Sequence, residues 1–116
     1  MSGRKRVVIA DNDRAVIELL LLDLRLEGHD VVATAATGQG AIDACLEHDP
    51  DVMVTDYRLG PGLNGIDVAR ELQSHRATVL VYTNYVTPDI VAAAAAVGAS
   101  VIEKGSLHAL RRAIEG

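Results

Sequence analysis

DVMVTDYRLGPGLNG, residues 51–65, is the stretch from which the fold can be read. Val52–Thr55 is a short apolar run, the length and composition of a buried strand. It ends at Asp56. Gly60, Pro61 and Gly62 then make a loop, and Asn64 can cap a following helix. Asp56 therefore sits where a buried strand emerges into a loop. In an open α/β sheet, ligand and reaction sites collect beyond the carboxyl ends of the strands. A carboxylate there can ligate a metal or act as a nucleophile. The competing reading is a turn cap, a common use of Asp.

The totals narrow the classes. A chain of 116 residues suits one domain with one core. With 49% hydrophobic and 23% charged residues, disorder is not expected. Three Tyr and no Phe or Trp leave Val, Leu, Ile and Ala to build the core. A net charge of -5 argues against direct nucleic-acid binding, which needs a basic surface. The single cysteine, Cys45, cannot form an internal disulfide and reads as an inert core residue in a reduced, cytoplasmic setting. Arg4-Lys5-Arg6 reads as a solvated leader. The Val7–Ala10 run behind it is too short for a signal peptide or membrane span.

Val7–Ala10 is the expected first strand, ending at Asp11-Asn12-Asp13, with Asp13 as a helix cap. A helix over 14–27 stops at Gly28. It carries two apolar stripes. Val16, Ile17, Leu20 and Leu24 would cover the sheet; Leu19, Leu22 and Leu26 would need another helix or a partner, with Asp23 between the stripes. Residues 30–35 read as a second strand near a sheet edge. A turn at Thr37–Gly40 leads into a helix from Ala41 to His48, with Ile42, Cys45 and Leu46 inward. After the third strand and the Asn64-capped helix (Ile66, Val68, Ala69 and Leu72 inward), Thr78–Thr83 is the fourth strand. Thr87 and Pro88 open an alanine-rich helix that Gly98 ends. Ala99–Ile102 is the fifth strand. Ser106 caps a last helix with Leu107, Leu110 and Ile114 on one face. His29, His48, His75 and His108 show no metal spacing and read as surface residues. Tyr57 and Tyr82 read as packing residues, and Arg111-Arg112 as complements to the last helix's dipole.

Strands alternating with helices predict right-handed βαβ units and a parallel sheet covered on both faces. In such a sheet Asp11, Asp56, Thr83 and Lys104 all follow carboxyl ends of strands, on one edge. Four residues of complementary chemistry there favour phosphoryl transfer to a carboxylate over a turn cap. Asp56 would become an acyl phosphate. Asp11 with Asp56 would hold Mg²⁺, a hard cation taking oxygen ligands. Lys104 would neutralise phosphoryl oxygens, and the Thr83 hydroxyl would hydrogen-bond one of them and report the state to the surface.

The chain resembles the receiver domains of two-component response regulators over nearly its whole length. The matching stretches are VVIADN at 7–12, VTDYRLGPGLNG at 54–65, VYTN at 81–84 and IEKG at 102–105. The resemblance implies a flavodoxin-like, CheY-like (βα)5 three-layer α/β sandwich with a five-stranded parallel sheet in the order 2-1-3-4-5. It implies that Asp56 is the phospho-acceptor, Asp11 and Asn12 the acidic pair, Thr83 the switch hydroxyl and Lys104 the phosphoryl-contacting lysine. The backbone carbonyl of Arg58 would be a further Mg²⁺ ligand. The implied phosphodonor is a histidine kinase, the implied partner a downstream target or output domain. The implied signalling surface is the fourth helix, fifth strand and fifth helix, with weak or phosphorylation-dependent homodimers. The chain departs from the family at Asn12, in place of an acid; at Gly60, one extra loop residue; at Asn84, in place of a very small residue; at Val101, in place of an aromatic; and at Gly105, in place of a proline. Tyr85 is the nearest substitute for the missing aromatic.

Three functions compete. The leading one is a phosphorylatable switch, not a turnover enzyme, in a single receiver domain over 1–116 with no output domain following. A pseudo-receiver that is never phosphorylated is the alternative, favoured by Asn12, Asn84 and Val101. A phosphatase using Asp11 and Asp13 of VVIADND is the third, and it lacks a late acidic metal cluster.

Overall fold

The computed structural model describes residues 3–116. Five strands alternate with five helices: β1 Arg6–Ala10, α1 Arg14–Leu26, β2 Asp30–Ala35, α2 Gly38–His48, β3 Val52–Thr55, α3 Gly65–Glu71, β4 Thr78–Thr83, α4 Pro88–Ala96, β5 Ser100–Glu103 and α5 Leu107–Glu115. All pairings are parallel, and the sheet order is β2-β1-β3-β4-β5. This is the flavodoxin-like, CheY-like arrangement that the alternation and the resemblance predict.

Side chains alternate across each strand, so the sheet has two apolar faces. Val8, Ala10, Met53, Val79 and Val81 pack with residues of α2, α3 and α4. Val7, Ile9, Val52, Val54, Leu80 and Tyr82 pack with Leu20 and Leu24 of α1 and Leu110 and Ile114 of α5. The strands are apolar on both sides because helices cover both. β2, at the edge, is half-buried, as its mixed polarity predicts.

The helix starts follow their caps. Asp13 accepts from the Ala15 N–H, Thr37 from Gly40, Thr87 from Ile90, and Asn64 with Asp67 forms a reciprocal capping box. Thr37 moves the start of α2 to Gly38, three residues before the expected Ala41. Ser106 stands at the N-cap of α5 without a side-chain cap bond, and β5 is shifted by one residue from the expected bounds.

Several expectations fail on tertiary grounds. Leu46 points to solvent, because Ala41, Ile42 and Cys45 already fill the inner face of α2. His29 is buried, its Nδ1 accepting the Lys5 N–H at 3.1 Å. His75 is largely enclosed between the Ala77 N–H and Asp49. Arg6 is not a free leader: it begins β1, and its guanidinium donates to the His48 and Asp49 carbonyls. Arg111 is held by Asp23 of α1 through two hydrogen bonds rather than facing its own helix end. That pair, with Leu20, Leu24, Leu110 and Ile114, forms the α1–α5 seam. Leu19, Leu22 and Leu26 stay outside it at 49%, 61% and 76% exposure, so the second leucine stripe is not used by α5.

Candidate functional site

The parallel register assembles the site. Ala10 pairs with Thr55, so the next residues, Asp11 and Asp56, leave neighbouring strands side by side. The Asp56 N–H donates to the Ala10 carbonyl at 2.9 Å, and Asp11 to Ala35 at 3.0 Å. Thr83 pairs with Glu103 on β4 and β5, and the Lys104 N–H donates to the Thr83 carbonyl at 2.9 Å. Lys104 then crosses the edge of the sheet. Its Nζ lies 2.9 Å from Asp11 Oδ2 and 2.9 Å from Asp56 Oδ2.

The remaining carboxylate oxygens face backbone donors. Asp13 N–H donates to Asp11 Oδ1 at 2.8 Å, and Tyr57 N–H donates to Asp56 Oδ1 at 2.7 Å. Asp11 is 2% and Asp56 6% exposed. Burial pushes the Asp11 carboxyl above its usual range, against the hydrogen bonds from Lys104 and Asp13; the neighbouring charge of Asp56 adds to the rise. Burial alone would lower Lys104, but its hydrogen bonds to Asp56 and Asp11 outweigh that and raise it. The cluster thus holds two buried carboxylates against one ammonium. One negative charge is left over, in a site whose ligands are all hard oxygens.

That imbalance fits a small divalent cation. Mg²⁺ is commonly held by one or two carboxylates and keeps several waters. Among the described residues no group of three or more His, Cys, Asp or Glu side chains converges. A further protein ligand can then be an amide, a hydroxyl or a backbone carbonyl. Asn12 is exposed at the same edge, and Asp13 is committed to capping α1.

Thr83 is fully buried, and its Oγ1 accepts the Tyr85 N–H at 3.2 Å. Arg58 is exposed, its guanidinium 4.4 Å from the centroid of the Tyr85 ring. The Tyr85 and Tyr57 rings are 6.3 Å apart. The structure thus brings Asp11, Asp56 and Lys104 into direct contact, with Thr83 one strand away through the backbone. The side chains of Asn12 and Arg58 stand at the rim.

One residue went unread in the sequence. A Cβ on Gly65 would lie 2.2 Å from the Asp56 carbonyl oxygen, and the Gly65 N–H donates to the Tyr57 carbonyl at 2.7 Å. The first turn of α3 can approach Asp56 this closely only with glycine. The signal was a glycine directly behind a helix cap, where Gly has no helical advantage.

A family model for the response regulator receiver domain matches residues 7–115. The chain belongs to the response regulator receiver domains. It is 36% identical over 115 residues to the transcriptional regulatory protein PdtaR of Mycobacterium tuberculosis, which covers 96% of the chain and 55% of that relative. It is 40% identical over 80 residues to the DNA-binding response regulator MtrA of Mycobacterium leprae, covering 67% of the chain and 34% of that relative. The receiver therefore spans about half or less of the length of these curated relatives. Among solved structures, the signal receiver domain of the response regulator NarL from Mycobacterium tuberculosis superposes with a TM-score of 0.89 at 31% identity, covering 98% of each chain. The chain is thus a signalling module of two-component systems rather than a classical enzyme. No helix of the receiver is long and apolar enough to cross a membrane, among the described residues.

Proposed function

We propose that this receiver is a phosphorylation-dependent switch whose acceptor is Asp56. The supporting observation is the Lys104 ammonium 2.9 Å from both Asp56 and Asp11, at the carboxyl edge of the sheet. A carboxylate oxygen of Asp56 forms a P–O bond as the P–N bond of a kinase phosphohistidine breaks. The electron pair of that bond returns to the imidazole nitrogen. Lys104 neutralises the phosphoryl oxygens. Thr83 accepts the Tyr85 N–H, which leaves its own hydroxyl proton for a phosphoryl oxygen. Asp11 and Asp56, with Asn12 and the Arg58 carbonyl as further ligands, would hold Mg²⁺. Bound there, it supplies charge neutralisation between donor and acceptor.

The partners on this reading are a histidine kinase and a downstream target or output domain, in a cytoplasmic setting. The exposed Leu19–Leu22–Leu26 stripe, beside α5, is the kinase-docking surface. The α4–β5–α5 face signals onward: α4 has a single charged residue, Asp89, and mostly exposed alanines. Self-association through it is weak or depends on phosphorylation; a tight dimer of Asp56→Asn would contradict this. Autodephosphorylation follows: a water oxygen bonds to phosphorus as the P–O bond to Asp56 breaks, giving inorganic phosphate and the free Asp56 carboxylate.

The experiment is intact mass spectrometry after incubation with acetyl phosphate and Mg²⁺, and separately with a phosphorylated kinase. One phosphate on the wild type and none on Asp56→Asn is the expected result. Asn12, in place of an acid, is the observation that favours the second reading, an interaction module that is never phosphorylated. Absence of the phosphate with both donors would select it.

A further inference from the structure

We propose that Arg58 is a phosphoryl-gated latch on Tyr85: with Asp56 free, the guanidinium lies on the ring, and a phosphoryl group on Asp56 draws it away and releases the ring. The inference rests on the phosphoacceptor reading of Asp56. Arg4, Arg14, Arg70, Arg76 and Arg111 each lie within reach of a carboxylate. Arg58, like Arg6, Arg25 and Arg112, has no such partner among the described residues, and its guanidinium sits 4.4 Å over an aromatic face instead. It is two residues past Asp56, a backbone span of at most about 7 Å, less than the reach of two such steps with its own long side chain added. A cation on an exposed ring is weakly held. Arg forms stronger, often bidentate, charge-assisted hydrogen bonds to phosphate. Adding a dianionic group to the acceptor therefore reverses which partner Arg58 prefers.

Two other contacts place Tyr85 near the acceptor. Its backbone N–H donates to Thr83 Oγ1 at 3.2 Å. Its ring lies 6.3 Å from Tyr57, whose N–H holds Asp56 Oδ1 at 2.7 Å. Neither contact clamps the ring: the first is made by the Tyr85 backbone, and the second is a tilted approach of two rings. Once Arg58 departs, the ring is free to join Val86 and Val91, each 43% exposed, in front of the alanine-rich α4. The phosphoryl group would thereby extend an apolar patch fit for a protein partner, and Arg58 is the residue that gates it.

The test labels the three tyrosines with 3-fluorotyrosine and follows them by ¹⁹F NMR. Tyr85→Phe and Tyr57→Phe assign the lines. The buried Tyr82, whose hydroxyl accepts the Gly105 N–H, reports an intact fold. Wild type and Arg58→Ala are recorded before and after acetyl phosphate with Mg²⁺, and intact mass is read on the same samples. The expected result is a Tyr85 line that moves on phosphorylation. In Arg58→Ala that line should already lie toward the phosphorylated position, and the further shift should be at least halved. A phosphate on the wild type with an unmoved Tyr85 line overturns the latch. So does an Arg58→Ala spectrum with Tyr85 at its wild-type position. No added phosphate on the wild type, from acetyl phosphate and from a phosphorylated kinase alike, overturns the acceptor reading and the latch with it, and the mass measurement separates that failure from the other two.

Discussion

Replacing Gly65 with alanine is expected to destabilise the receiver and to cripple its acceptor, although the residue opens a helix. Helix propensity alone favours the change by roughly 1 kcal/mol. Sterics oppose it. The new Cβ would meet the Asp56 carbonyl oxygen at 2.2 Å, and real Cβ contacts essentially never fall below 3.0 Å. The atom it meets is backbone, so no rotamer change relieves the clash. β3 and α3 must part by most of an ångström, stretching the 2.7 Å hydrogen bond from Gly65 to Tyr57. Overpacking of this kind costs about 1–3 kcal/mol, and here the rigid contact puts it at the upper end. Set against the propensity gain, the net loss is about 2 kcal/mol. With a urea m-value of roughly 2 kcal/mol/M, the unfolding midpoint falls by about 1 M. Urea melts followed by circular dichroism measure the loss, and intact mass after acetyl phosphate measures the acceptor. A midpoint that is unchanged or higher, with normal phosphate uptake, would refute the close-approach argument.

Three further substitutions probe the site and its surroundings. Asp11→Asn is expected to raise stability at pH 7 by roughly 1 kcal/mol, about 4 °C in Tm, while abolishing Mg²⁺-dependent phosphorylation. The wild-type Asp11 carboxyl is raised, so its charge costs stability above the raised value; the Asn variant's advantage must shrink as pH falls toward the unfolded pKa, which pH-dependent thermal melts will show. Lys104 is raised, so its ion pairs stabilise fully below the unfolded lysine value and are lost as pH climbs through the folded one; wild-type Tm should fall above about pH 10, and Lys104→Met should lack that decline. Leu22→Glu, on the exposed α1 stripe, should leave Tm within a few tenths of a kcal/mol in equivalent stability and leave acetyl phosphate labelling intact. It should slow transfer from a histidine kinase at least about tenfold, the effect of roughly 1.4 kcal/mol lost at a docking contact; unchanged transfer would remove that surface from the kinase interface.

The order and kind of the elements could be read because each has a local cause. Val7–Ala10, Val52–Thr55 and Thr78–Thr83 are β-rich and apolar, and Asp13, Asn64, Thr87 and Gly98 punctuate the helices. The trio of Asp11, Asp56 and Lys104 could be read for the same reason, since parallel strands bring their carboxyl ends to one edge. The structure adds how Lys104 bridges both acids, which depends on β1 and β3 being neighbours, and no local pattern specifies that adjacency. The misreadings share one cause. Leu46, His29, Arg6 and Arg111 have ordinary local sequence contexts, and only the element packed beside them decides whether they face water, a carbonyl or Asp23. Gly65 was missed likewise: its requirement comes from the carbonyl of Asp56, nine residues earlier in the chain and within touching distance.

The Asp23–Arg111 pair joins residues 88 apart in the chain. On a ribosome the chain grows from its amino end at about 5–20 residues per second, and α1 is made before its partner. Until residues 107–115 emerge, Leu20 and Leu24 lack the Leu110 and Ile114 cover, and Asp23 lacks its counter-ion. The sheet can form meanwhile, but one of its faces stays half-clothed. A nascent receiver is therefore most dependent on chaperones in the interval just before its last helix is released, and a stalled or truncated chain would expose a sticky strip beside the leucines of α1.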